Sequence, residues 1–213
     1  SAMIGVAEYA RAVVPHGTTG IFCDPHEAGN VTGMPGVRAM FEDARRVPLK
    51  AMMTPPSCVP AVTGVEDTGA QVTAADIADS MSWDNVVALG EMMNFPGILA
   101  GEKNALDEVR ETLRADRVIT GHFPSPDRDR GLSAYVASGV SSCHESGSFD
   151  EVLAKLRMGM WVQLRQGSAW LNLPGYLPQL VASGVDLRHC LLCSDDNHPH
   201  TLVDEGHMDR ILR

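Results

Sequence analysis

The sequence predicts an α/β fold, an incomplete (β/α) barrel of about seven parallel strands, and three observations carry that prediction. Short apolar runs alternate with helical patterns along the whole chain, which is how βαβ units and a parallel sheet are written. Those runs repeatedly stop at polar residues, at Glu91, His122, His144 and Asp195. A TIM-like barrel gathers its site where the strands end, whereas an open doubly wound sheet concentrates it at one switch point. The 213 residues suffice for one core, yet they fall short of the roughly 250 of a complete eight-stranded barrel. No glycine-rich phosphate fingerprint follows the first strand, which weakens a nucleotide-binding sheet.

Residues 4–14 read as a helix with Ile4, Ala7, Ala10 and Val14 on one side, closed by Pro15, His16 and Gly17. Residues 18–23 form a β-rich run ending in Asp24-Pro25-His26-Glu27. A helix over 37–46 leads to a strand over 49–53, which runs out into Thr54-Pro55-Pro56-Ser57-Cys58. After a loop rich in Gly, Thr and Asp, Thr73 is an N-cap for a helix reaching residue 81. The strand over 86–90 delivers Glu91. Leu106, Val109 and Leu113 give the helix over 104–114 its apolar face, and the strand over 118–121 delivers His122. A helix over 132–138 precedes the strand over 140–143, which delivers His144. Ser148 and Glu151 are spaced as a capping box for a helix through residue 158. The strand over 160–164 runs into Arg165-Gln166-Gly167-Ser168. A helix over 177–183, closed by Gly184, leads to the strand over 189–193 and then to Ser194-Asp195-Asp196.

Composition narrows the functions. A hydrophobic fraction of 44% with 21% charged residues is that of an ordinary folded domain. The formal net charge of -10 argues against nucleic acid as a partner, since phosphate is bound by Lys and Arg. No apolar run is long enough for a membrane helix and no signal peptide is visible, so the cytoplasm is the expected compartment. The five cysteines form an odd set spread over apolar segments, which argues against a disulfide framework. Cys190 and Cys193 have the spacing of half a zinc site, but no second pair exists, and residues three apart in a strand face opposite ways.

Glu91, His122, His144 and Asp195 together offer imidazole nitrogen and carboxylate oxygen, donors that suit borderline divalent ions. Such an ion lowers the pKa of water toward neutrality, and a nearby carboxylate shuttles the proton. Glu91 stands among apolar residues, where a charge is costly unless paired or ligating; a buried salt bridge is the alternative. Asp195 and Asp196 would face opposite ways in an extended strand, and Asp195 shares its face with Cys193 and Leu191. The second cluster, Asp24, His26 and Glu27, is expected to join the site or to orient its ligands. Arg165 and Ser168 are expected to bind substrate or to cap a solvated loop. His16, His189, His198 and His200 read as ordinary surface or hydrogen-bonded histidines.

Taken in order, Cys23-Asp24-Pro25-His26-Glu27, Ser57-Cys58-Val59-Pro60, Gly90-Glu91-Met92-Met93, Gly121-His122, Cys143-His144-Glu145-Ser146, Arg165-Gln166-Gly167-Ser168-Ala169, Cys193-Ser194-Asp195-Asp196 and Glu205-Gly206-His207 resemble the pattern of bacterial adenine deaminases of the amidohydrolase superfamily. The resemblance covers nearly the whole chain. It implies a distorted (β/α) barrel of the metal-dependent hydrolase type that converts adenine to hypoxanthine and ammonia. One or two divalent ions are implied, manganese or iron rather than zinc. The metal ligands would be Glu91, His122, His144 and Asp195. Catalysis would rest on Asp195 as proton shuttle, with Glu91 as the second catalytic carboxylate. The implied partner is a small-molecule substrate, with no nucleic acid and no membrane, in a homo-oligomer. A hydrolase of another cyclic amidine or amide, or a non-catalytic structural fragment, are the competing readings.

One departure qualifies the match. The family's first barrel strand ends in His-x-His, and no such pair occurs before residue 16. His198-Pro199-His200 has that spelling but follows the last strand. The expectation is therefore a single catalytic-barrel segment over 1–213, without the first strand, the flanking β-domain or the C-terminal region. Such a segment would hold at most one ion, weakly, and turn over poorly.

Overall fold

The computed structural model describes residues 3–213 and has a mixed α/β architecture. Its strands are β1 (Gly20–Cys23), β2 (Lys50–Met53), β3 (Ala88–Met92), β4 (Val118–Gly121), β5 (Ser142–Cys143), β6 (Trp161–Arg165) and β7 (Cys190–Cys193). Each apolar run of the sequence supplies one of them. The helices are α1 (Val6–Val13), α2 (His26–Thr32), α3 (Met34–Ala44), α4 (Ala74–Ser80), α5 (Phe95–Ala100), α6 (Lys103–Arg114), α7 (Arg130–Ala137), α8 (Phe149–Arg157), α9 (Leu173–Ala182), α10 (Pro199–Asp204) and α11 (Met208–Leu212). The periodicity does not predict α2, α5, α10 or α11, which are too short to display a 3.6-residue repeat. In α5 local chemistry substitutes for it: Asn94 Oδ1 accepts from Gly97 N at 2.9 Å, and Pro96 lies in the first turn.

Every strand pairing is parallel. β1 pairs with β2, β3 with β4, and β6 lies between β5 and β7. Parallel bridges at Met53–Val86 and Ile119–Val140 connect these groups, so strand order follows chain order from β1 to β7. Among the described residues β1 and β7 do not pair, so the seven parallel strands do not close into a barrel, in line with the incomplete barrel expected. The open edges are lightly covered, with Phe22 on β1 and Leu191 on β7 exposed.

The largest core cluster follows β2 to β5 and the helices over them, with Val37, Met53, Ile77, Leu89, Ile119, Leu132 and Tyr135 buried. A second cluster joins β6 to α8 and α9, and a third joins α1 to Leu202 on α10. Thr73 caps α4 and forms a reciprocal box with Asp76. The box expected at Ser148 is only half formed: Ser148 Oγ accepts from Glu151 N, while the Glu151 carboxylate reaches Gly147 N at 2.8 Å.

The pairing of β3 with β4 carries a register shift that positions the site. Leu89 opposes Ile119 and Met92 opposes Gly121, so β3 contains one extra residue at Gly90–Glu91. Tyr135 on α7 fastens the ends of both strands: its hydroxyl donates to Met92 O at 2.6 Å and accepts from His122 N at 3.0 Å. Gly121 is required beneath it, because a Cβ there would lie 2.5 Å from Ser142 O and 2.9 Å from the Tyr135 hydroxyl.

Two outcomes are expected. Tyr135→Phe leaves Met92 O and His122 N without their partner and should cost about 1–3 kcal/mol in denaturant unfolding. Glu108 on α6 is 1% exposed and bonds to Asn104 Nδ2 at 2.8 Å. Burial pushes its carboxyl up to about 9 against that bond, with help from the charges of Glu102 and Asp76. The folded protein thus keeps a proton that the unfolded chain releases above about 4.5. This contribution is fully present below that pH and is lost as pH rises toward 9. Glu108→Gln should match the parent in acid and exceed its stability by about 2–4 kcal/mol at pH 8.

Candidate metal centre

Because all strands run the same way, their polar endings emerge at one edge, and Glu91 is the centre of that edge. Its Oε2 lies 2.7 Å from His122 Nδ1 and 3.0 Å from His144 Nε2. The two nitrogens are 3.3 Å apart, with the rings inclined at 70°. Ligand atoms of all three residues fall within 4.8 Å of one another. The backbone of Glu91 is fixed from the opposite side, where its N–H donates to Asp24 Oδ2 at 2.9 Å and its carbonyl accepts from Ser57 Oγ at 2.8 Å.

His144 also belongs to a second convergence with Glu145 and Asp195. Glu145 Oε1 is 3.6 Å from His122 Nδ1 and 3.5 Å from His144 Nε2, and Asp195 Oδ2 is 3.6 Å from His144 Nε2. Arg165 Nη1 spans the two carboxylates, 2.6 Å from Glu145 Oε1 and 2.5 Å from Asp195 Oδ2. Its guanidinium lies over the Trp170 ring, 4.5 Å from the centroid, a stacking that suits a planar cation. Lys155 donates to the Glu145 carbonyl and, at 3.0 Å, to Ser146 Oγ, so the turn carrying His144 and Glu145 is braced from within.

The charges of the site are strongly coupled. Burial disfavours ionised Glu91, but hydrogen bonds and charge from His122 and His144 prevail and hold its carboxyl far below the ordinary carboxylate range. For His144, burial works against the charge while Glu91, Asp195 and Glu145 raise its pKa. A buried anion surrounded by two imidazoles is a donor set that a divalent cation fits, the cation replacing the shared protons.

Sequence reasoning names Glu91, His122, His144 and Asp195; the structure gathers the first three into one group and puts Asp195 in a second group that shares His144. Asp195 arrives by a different route from the one expected. β7 stops at Cys193, and Asp195 takes a left-handed backbone, φ +54°, rather than an extended one. Arg165 meets Asp195, as described. Asp24, His26 and Glu27 lie on the far side of Glu91, with His26 Nδ1 3.6 Å from Glu91 Oε1 and His26 Nε2 3.5 Å from Glu27 Oε1. Ser168 faces the last loop instead, its Oγ accepting from His198 N at 2.8 Å. His189 stacks on Trp161, and His16 lies 3.4 Å from Asp209. Cys190 and Cys193 enter no cation cluster among the described residues.

Glu145 and Cys58 are the residues that sequence reasoning passes over. Strict alternation sends neighbouring side chains to opposite faces. β5 ends at Cys143, however, and Ser146 N turns back to His144 O at 3.2 Å, which lets His144 and Glu145 both reach the site. The available signal was a carboxylate directly following a strand-end histidine.

No family model matches the chain. All 213 residues align with curated proteins named adenine deaminase. The identity is 53% to that of Clostridium botulinum strain Loch Maree and 48% to that of Moorella thermoacetica, each match covering 36% of the relative. It is 44% to that of Mesorhizobium japonicum, with 35% of the relative covered. The chain therefore spans little more than a third of the length of the relatives it matches. Over its entire length, this chain is a homologue of adenine deaminases.

Proposed function

We propose that the chain supplies the metal-binding edge of a hydrolase that deaminates adenine to hypoxanthine and ammonia. The observation that carries this reading is the convergence of Glu91, His122 and His144, with Asp195 3.6 Å from His144, within a chain that aligns from end to end with adenine deaminases. Sequential parallel order supports a TIM-like barrel, of which residues 1–213 are one catalytic segment. Glu91, His122, His144 and Asp195 would hold the cation, a donor set that suits borderline divalent ions, and manganese or iron is what the likeness to adenine deaminases suggests. A net charge of -10 supports a small-molecule partner rather than nucleic acid. The described residues contain no helix long and apolar enough to cross a membrane, and purine metabolism follows from adenine as the proposed substrate.

A divalent ion in this position supplies Lewis acidity and lowers the pKa of water. The residues do the rest. Asp195, reachable from solvent, takes a proton from the water that attacks C6 and returns it to the departing amine. Arg165, bonded to both Asp195 and Glu145, orients that carboxylate. Glu91 keeps both imidazoles aimed inward.

Binding is tested on the 213 residues, and turnover on the polypeptide that naturally carries them. Manganese uptake is expected to fall at least tenfold in affinity in His122→Ala and in His144→Ala. Asp195→Asn should lower kcat for adenine about 100-fold or more with a much smaller change in KM. Ammonia release from adenine, measured beside guanine, cytosine and a dihydropyrimidine at equal metal loading, decides the substrate. A clear preference for one of the other three would overturn the assignment.

A further inference from the structure

The last motif of the sequence, Glu205-Gly206-His207, takes no part in the metal centre, yet its histidine is 3% exposed and hydrogen-bonded through both ring nitrogens. His207 Nδ1 lies 2.8 Å from Thr18 Oγ1, and Nε2 lies 2.9 Å from Ser194 Oγ and 3.1 Å from the Tyr9 hydroxyl. Tyr9 is on α1, Thr18 shortly precedes β1, and Ser194 is the first residue after β7. β1 and β7 do not pair among the described residues, so this imidazole joins the two ends of the strand order.

The ring is held from several directions. It packs edge to face with the Tyr9 ring, the centroids 5.8 Å apart and the planes at 81°. The backbone N–H of His207 donates to Asp209 Oδ1 at 2.9 Å. Gly206 makes that turn possible, because its φ is +108° and a Cβ there would run into the Asp209 carboxylate. Burial, with the charges of Arg210 and His16 acting against that of Asp209, pushes the imidazole down to about 4. It is therefore neutral near pH 7, with one N–H and one lone pair for hydroxyls that can give or accept.

Ser194 matters because of the residue that follows it. Asp195 has φ +54°, and its turn is closed locally by Asn197 Nδ2, which donates to Asp195 O at 2.9 Å. Local bonds set the shape of a turn, not where it stands over the sheet. From the loop after β6, Ser168 N donates to Asp196 O at 3.0 Å, and Arg165 on β6 binds the Asp195 carboxylate. His207 supplies the hold from the other side, that of α1 and β1.

We propose that His207 is a positioning residue for Asp195: braced by Thr18 and Tyr9, it fixes the Ser194 hydroxyl and with it the turn from which Asp195 presents its carboxylate. This rests on Asp195 being the proton shuttle of the proposed reaction. Misplacing a reacting group by about 1 Å costs up to roughly 100-fold in rate, and losing one tie among several should cost about tenfold.

The test uses the polypeptide that naturally carries these residues, with turnover measured at saturating manganese. His207→Phe, which keeps a ring but loses both bonds, and Ser194→Ala should each lower kcat for adenine about tenfold with little change in KM. His207→Gln, which keeps a donor and an acceptor, should recover most of that loss. Because His207 acts through Ser194, the double variant His207→Phe/Ser194→Ala should be no worse than either single one, a coupling that a merely structural role does not produce. Amide exchange over residues 194–197, measured without metal, should quicken in His207→Phe while that over 118–121 stays as in the parent. Unchanged kcat in His207→Phe, losses that multiply in the double variant, a His207→Gln no better than His207→Phe, or unchanged exchange over 194–197 would overturn the proposal. If His207→Phe does not fold, Ser194→Ala decides, and parental kcat there overturns it. Parental turnover in Asp195→Asn would overturn the shuttle reading and this proposal with it, whereas loss there beside an unaffected His207→Phe overturns this proposal alone.

Discussion

The fold converges on one half-buried carboxylate. Glu91 accepts from imidazoles that follow β4 and β5, while its own peptide is bonded to a side chain after β1 and to another after β2. A lone anion in that position would be costly to desolvate. Its cost is offset only if the ends of all these strands arrive together, so the charge acts as a test of correct assembly. The register shift at Gly90–Glu91 and the Tyr135 hydroxyl serve the same requirement, since both fix where β3 and β4 stop relative to one another.

Much of this was legible in the sequence. Seven apolar runs gave seven parallel strands, although only β3 and β5 are buried along most of their length. Glu91, His122 and His144 could be named because a polar residue that ends such a run has only the sheet's edge to occupy. The openness of the sheet between β1 and β7 agrees with the incomplete barrel that the sequence predicts.

The residues that escaped notice share a cause. Glu145 reaches the site because the chain turns immediately after a two-residue strand, and Cys58 because a loop without periodicity folds back beneath Glu91. Neither position follows from alternation or helical spacing. Asp195 was named on an argument about strand faces, yet it lies beyond the strand, placed by a turn in which Asp196 N donates to its Oδ1 at 2.6 Å. Its place beside His144 therefore owes nothing to strand-face geometry.

That turn has a consequence for how this chain tolerates change. A left-handed backbone at a residue other than glycine costs on the order of 1 kcal/mol, and asparagine or glycine would sit there more comfortably. The ion pair with Arg165 works against such a change, since either replacement would give up the charge that meets the guanidinium.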